Sequence, residues 1–161
     1  MIDLTCPITN VASLIPHSGK MVMLEKITDF GDNFLIAEAT PTEACLLVKN
    51  GELPTYMAAE IMAQGIAAWA GCKCMKAGQP ISLGYWIGSR KLKFYTPLVT
   101  LGHRLQIRIQ LSIEDATGFG VFDCSLTDLD TEQVLIEGAL NVYRPQVNTD
   151  KKTHRKLTAL F

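Results

Sequence analysis

Residues 56–72 read YMAAEIMAQGIAAWAGC, and the reading of that stretch decides the fold. It is apolar on nearly every face, with a single charge, Glu60, and with Gln64 one helical turn further on. A surface helix would set charged residues on its outer side, and this one has none to set. A helix that is hydrophobic all round is wrapped by other elements. A lone carboxylate in such surroundings costs free energy unless it is paired, hydrogen-bonded or held protonated. Glu60 is therefore either a structural oddity or the working part of a site.

The flanking sequence reads as the wrapping. Upstream, residues 11–15 form a short helix or turn that Pro16 ends, and His17 follows in a loop with Ser18-Gly19-Lys20. Residues 23–30 are strand-like, Gly31-Asp32-Asn33 supply a turn, and FLIAEA (34–39) completes a hairpin. Residues 40–55 are loop, and Pro54 and Thr55 stand where the helix begins, since proline is welcome in a first helical turn. Downstream, Lys73 and Lys76 suit a helix C-terminus, and Gly78 and Pro80 stop it. Strand-like runs follow: 81–87 ending at Gly88, RKLKFY (90–95), the strictly alternating HRLQIRIQL (103–111), 118–126 and 134–143. Alternation puts one face on a core and the other in solvent. A hairpin, a long buried helix and an antiparallel meander make an α+β architecture in which one sheet curls around one helix.

Length and charge narrow the classes. The 161 residues suit one domain, over 1–145, followed by a basic tail, 146–161, with Lys151, Lys152, Arg155 and Lys156. A frayed end and a short docked helix ending in Leu157, Leu160 and Phe161 are both open for that tail. With 48% apolar and 19% charged residues the surface is short of charge, so part of it is expected to be covered in an oligomer. A net charge of −1 gives no electrostatic case for nucleic acid or an anionic membrane. The apolar helix is a little short for a membrane span and carries Glu60 and Gln64 without basic anchors. Met1 is followed by Asp3 and Pro7, which do not begin a signal peptide. Cys6, Cys45, Cys72, Cys74 and Cys124 have neither framework nor zinc spacing, and read as reduced thiols of a cytoplasmic protein. No metal site, phosphate-binding glycine loop or Ser/His/Asp arrangement has a signature, and no cofactor is expected.

Three segments carry a resemblance. Leu14-Ile15-Pro16-His17 followed by Met21-Val22-Met23-Leu24 resembles the N-terminal Leu-Leu-Pro-His segment of the hot-dog fold 3-hydroxyacyl-[acyl-carrier-protein] dehydratases. Glu60-Ile61-Met62-Ala63-Gln64 resembles their helix motif Glu-Ala-Met-Ala-Gln, whose Glu is catalytic. Lys93-Phe94-Tyr95-Thr96-Pro97 with Gly102 is similar to their Lys-Phe-x-x-Pro strand and turn. One departure stands out: where the family has a catalytic loop His, the spacing back from Glu60 lands on Leu46. With the N-terminal His and the helix Glu kept, the pattern most resembles the divergent dehydratase-like proteins of aryl-polyene biosynthetic clusters.

The resemblance implies dehydration of a 3-hydroxyacyl thioester borne on acyl carrier protein. That reaction needs a base for the C2 proton, an acid for the departing C3 hydroxyl and polarisation of the thioester carbonyl. A carboxyl in an apolar tunnel favours its neutral, proton-donating form, so Glu60 is the expected acid. His17 is expected to take over or share the base role, with a purely structural loop His as the alternative. Pro54, Thr55, Tyr56 and Gln64 are expected to line the substrate site, where backbone N–H groups at the helix start can bind the carbonyl oxygen. The expected assembly is a homodimer or a heterodimer with a second hot-dog subunit, extending the sheet. Two alternatives stay open: a catalytically weak subunit that binds acyl chains or supports an active partner, and a hot-dog thioesterase.

Overall fold

The apolar stretch folds as one 22-residue helix, α1 (Thr55–Lys76), in a computed structural model of the chain that describes residues 2–145. Every residue from 61 to 72 is buried. The charge-free pattern of the sequence thus has its physical counterpart: the helix has no solvent side along its middle. The expected basic tail over 146–161 lies outside the described residues. Among the described residues no helix is long and apolar enough to cross a membrane.

One side of α1 sits on a six-stranded antiparallel sheet. Its strands are β1 (Lys26–Phe30), β2 (Phe34–Ala39), β4 (Tyr85–Phe94), β6 (Leu105–Glu114), β7 (Phe119–Asp128) and β8 (Gln133–Tyr143). The order across the sheet is β1-β2-β6-β7-β8-β4. A short ribbon of β3 (Leu53–Pro54) and β5 (Leu98–Val99) leads into the helix. The period-two pattern does what it promised: Leu35, Ala37 and Ala39 of β2 and Leu105, Ile107 and Ile109 of β6 all point into the core. Each large aliphatic side chain buried there contributes about 1.5–3 kcal/mol. Gly65 lets the helix seat closely, since a Cβ there would stand 2.8 Å from Ile107 Cγ2.

The opposite side of α1 is covered by the N-terminal segment. Ile8, Val11, Leu14, Ile15 and Leu24 are buried in the same core as the helix. Gly71 marks the closest approach, because a Cβ at that position would overlap the carbonyl oxygen of Leu14. The expected turn at 11–15 is a 3₁₀ turn, Val11–Ser13, and a second one, Gly19–Met21, follows His17.

Several boundaries differ from the sequence reading, each for a local reason. The two runs expected either side of Gly88 are one strand, β4, which crosses Gly88 and bulges between Trp86 and Gly88 and again between Arg90 and Lys93. A glycine inside a strand marks a bulge as readily as an end. The second bulge holds Lys91 at φ 51, and it fits because Gly138 opposite has no Cβ to strike Leu92. The first strand begins at Lys26, not at residue 23, because the backbone of Met21 and Met23 bonds to the Gln64 side chain instead of to a neighbouring strand. His103 precedes β6 in a turn; the strand starts at Leu105.

Candidate active site

Glu60 lies on the second turn of α1, and its carboxylate faces the loop between the two 3₁₀ turns. There His17 Nε2 stands 3.8 Å from Glu60 Oε1, with the two side chains 9% and 17% exposed. The pair unites two of the segments singled out in the sequence. Burial pushes the Glu60 carboxyl up to about 7, so near neutrality it is poised to give or take a proton. A carboxyl and an imidazole this close, shielded but reachable, suit a reaction that moves two protons.

Gln64 lies one turn beyond Glu60 and is fully buried. Its Oε1 accepts from the Met23 amide at 2.9 Å, and its Nε2 donates to the Met21 carbonyl at 2.6 Å. Gln64 was expected to line the substrate site; its amide bonds the protein's own backbone on the segment that follows His17. This bonding explains why a polar side chain is tolerated in the core.

The remaining expected residues cluster at the start of the helix. Pro54 caps α1 with extended backbone and pairs with Leu98 across the β3–β5 ribbon. The Thr55 amide donates to the Pro97 carbonyl at 2.9 Å, while its buried hydroxyl has no hydrogen-bond partner among the described residues. Tyr56 is 67% exposed and reaches outward. Leu46, where the loop His of the resembling enzymes would stand, is an exposed residue of the 40–52 loop. Among the described residues, Glu60 and His17 are the carboxyl and imidazole that the fold brings together at this helix.

Cys72 and the His103–Asp128 pair stand apart from this site. Burial, and then the neighbouring Cys6, push the Cys72 thiol up to about 12, which makes it a poor nucleophile. His103 Nδ1 lies 2.7 Å from Asp128 Oδ2, a pair the sequence reading passed over. The other Asp128 oxygen accepts from the amides of Asp130 and Thr131 at 2.9 and 3.2 Å, so the group locks the β7–β8 turn. His103, Asp128 and Asp130 have metal-like proximity, but Asp128 is already engaged by His103 and these turn amides. An aspartate just before the turn at 129–132 was the available signal for this lock.

Comparison with known proteins agrees with the fold. The family profile "ApeP-like: ApeP dehydratase" matches residues 9–154. The dehydratase heterocomplex ApeI:P from Xenorhabdus doucetiae contains a chain 31% identical to this one, with a TM-score of 0.76, covering 84% of this chain and 91% of that one. Two more distant structures share the fold. A sigma28-regulated virulence protein from Campylobacter jejuni is 16% identical, with a TM-score of 0.60 over 88% of this chain and 92% of that one. The PaaI protein of the E. coli phenylacetic acid degradation operon is 12% identical, with a TM-score of 0.55 over 74% and 78%. Among curated proteins none matches significantly. With a hot-dog fold, a helix carboxyl facing an N-terminal His and a profile match over most of its length, this chain belongs to the ApeP-like family of dehydratases.

Proposed function

We propose that the Glu60–His17 pair eliminates water from 3-hydroxyacyl thioesters carried on acyl carrier protein, in the making of a polyene-type chain. His17 takes the C2 proton, and the C3 hydroxyl leaves as water with the proton of Glu60. A C2=C3 double bond forms, leaving imidazolium beside carboxylate. Return of the proton from His17 to Glu60 across the short gap resets the pair. The observation that carries the reading is the 3.8 Å approach of an imidazole to a carboxyl whose burial raises it to about 7. A carboxyl with the ordinary value would be ionised at neutral pH and unable to protonate a leaving hydroxyl.

The start of α1 supplies the rest. First-turn N–H groups lack partners within the helix and carry its positive dipole end, which suits a thioester oxygen that gains charge. The unpartnered Thr55 hydroxyl lies beside them. A second hot-dog subunit is proposed as the partner, because the ApeP-like structure that matches is a heterocomplex and because β4 ends the sheet among the described residues. Ile87, Phe94, Tyr95 and Leu98, on or just beyond that edge, are exposed apolar side chains. The five free thiols fit a reducing cytoplasm.

The test is turnover of 3-hydroxyacyl carrier protein by the purified chain, alone and with a hot-dog partner, read as the enoyl product by mass. Product that disappears in both Glu60→Gln and His17→Ala supports the assignment. No product from wild type, with any acyl length and with the partner present, would make this chain a binding subunit instead.

A further inference from the structure

We propose that Gln64 is the positioning residue of the acid–base pair, holding His17 over Glu60 by clamping the backbone of the loop that carries it. This rests on the dehydratase reading of that pair. Residues 14–21 form an arch across the helix, and both of its feet stand on α1. At one foot the Leu14 carbonyl is pressed against Gly71, where no side chain could fit. At the other, Gln64 bonds the Met21 carbonyl and the Met23 amide. At 100° per residue, Glu60, Gln64 and Gly71 fall within about 40° of arc on one helix face. The arch and the carboxyl therefore share a stripe, and His17 sits on the span between the feet.

The chemistry of the clamp is specific. A carbonyl and the amide two residues later need one donor and one acceptor side by side, the pattern a neighbouring strand would offer. A glutamine side chain presents that pair, and a protonated glutamate does too; a hydrocarbon presents neither. The Gln64 side chain itself is fully buried, so a hydrocarbon in its place leaves the Met23 amide and Met21 carbonyl without the partner the fold gives them. A catalytic group displaced by about 1 Å loses roughly a hundredfold in rate. Gln64 thus acts on kcat through His17, without touching the substrate.

The experiment compares Gln64→Leu and Gln64→Glu with wild type, in the complex with the hot-dog partner, on a 3-hydroxyacyl carrier-protein substrate. Gln64→Leu is expected to lower kcat about a hundredfold with KM within about twofold. Gln64→Glu is expected to recover activity as the pH falls and its carboxyl regains the donor. In a His17→Ala background Gln64→Leu is expected to cost nothing further. Losses that multiply, or a raised KM with unchanged kcat, overturn the proposal. A substrate-free arm follows the ring resonances of isotope-labelled His17, assigned with His17→Ala. They should report the titration of Glu60 in wild type and lose it in Gln64→Leu, or, if that variant does not fold, in ionised Gln64→Glu. Persistence of the Glu60 titration in those spectra overturns the clamp. A wild type without turnover fails the dehydratase reading alone, and this second arm then decides the clamp.

Discussion

Gly71 lies directly against the backbone carbonyl of Leu14, and the space a Cβ would need is already filled by that oxygen. Alanine is the better helix former by about 1 kcal/mol, so an unconstrained helix would gain from Gly71→Ala. Here the obstacle is backbone and cannot rotate away. We expect Gly71→Ala to lose about 1–3 kcal/mol by overpacking, read as a lower denaturation midpoint. It should also lower dehydration, because the displaced segment carries His17.

The helix and most of the sheet were legible in the sequence, since burial on all sides and strict alternation leave a direct trace in residue order. Strand 34–39 was read to the residue, and residues 103–111 and 134–143 within a few. What was not legible depends on partners distant in sequence. Nothing local says that Gln64 bonds Met21 and Met23, so the sequence starts the first strand at residue 23 where the fold starts it at Lys26. The bulge at Lys91 requires Gly138 opposite, which only the register reveals. In the site, Glu60 announced itself as a lone charge in an apolar helix. His17 was found through resemblance, since a loop His between Pro16 and Lys20 has no signature of its own. Gly71 carried a signal that was passed over: a glycine deep in a helix implies close approach of something.

Asp128 should act on stability and leave catalysis alone. Burial by itself would raise its carboxyl, but the bond from His103 and the amides of Thr131 and Asp130 hold it below its ordinary value of 3.8. The folded state therefore favours the ionised form. That contribution is present above the ordinary value and is lost as the pH falls through the lowered one. Asp128→Ala strips partners from His103 and two turn amides, and is expected to cost about 1–3 kcal/mol in urea unfolding with kcat unchanged. A fall in kcat larger than twofold in the folded variant would contradict a purely structural role.

The position of β4 at the end of the sheet, among the described residues, makes a prediction about assembly. Ile87 is 56% exposed on that strand, so Ile87→Lys should alter the stability of the lone chain by no more than about 0.5 kcal/mol. A charge on the edge opposes pairing with another strand. Light scattering is expected to show wild type associating with itself or with its hot-dog partner and the variant remaining a monomer. An unchanged mass for the variant complex would move the interface away from β4.

The pH behaviour of Glu60 ties stability to activity with opposite consequences for one substitution. Its folded value of about 7 lies above the ordinary 4.5, with burial as the cause. The protonated form is thus the one the fold prefers. Its contribution is complete below 4.5 and is lost as the pH rises through about 7, where a charge must be held in an apolar site. The shift corresponds to a loss on the order of 3 kcal/mol between those limits. Glu60→Gln keeps the shape and removes the charge, so its stability should stay level over that range while wild type declines. The same carboxyl must be protonated to release the hydroxyl as water. Wild-type kcat is accordingly expected to fall about tenfold per pH unit above about 7, while Glu60→Gln is slower by about 10²–10⁴ below that pH, with the gap narrowing above it. Unfolding curves at several pH values and a kcat profile on the carrier-bound substrate check both halves. A wild type whose stability and kcat both hold steady through pH 8 would mean that Glu60 is ionised in the fold, and that some other group protonates the leaving hydroxyl.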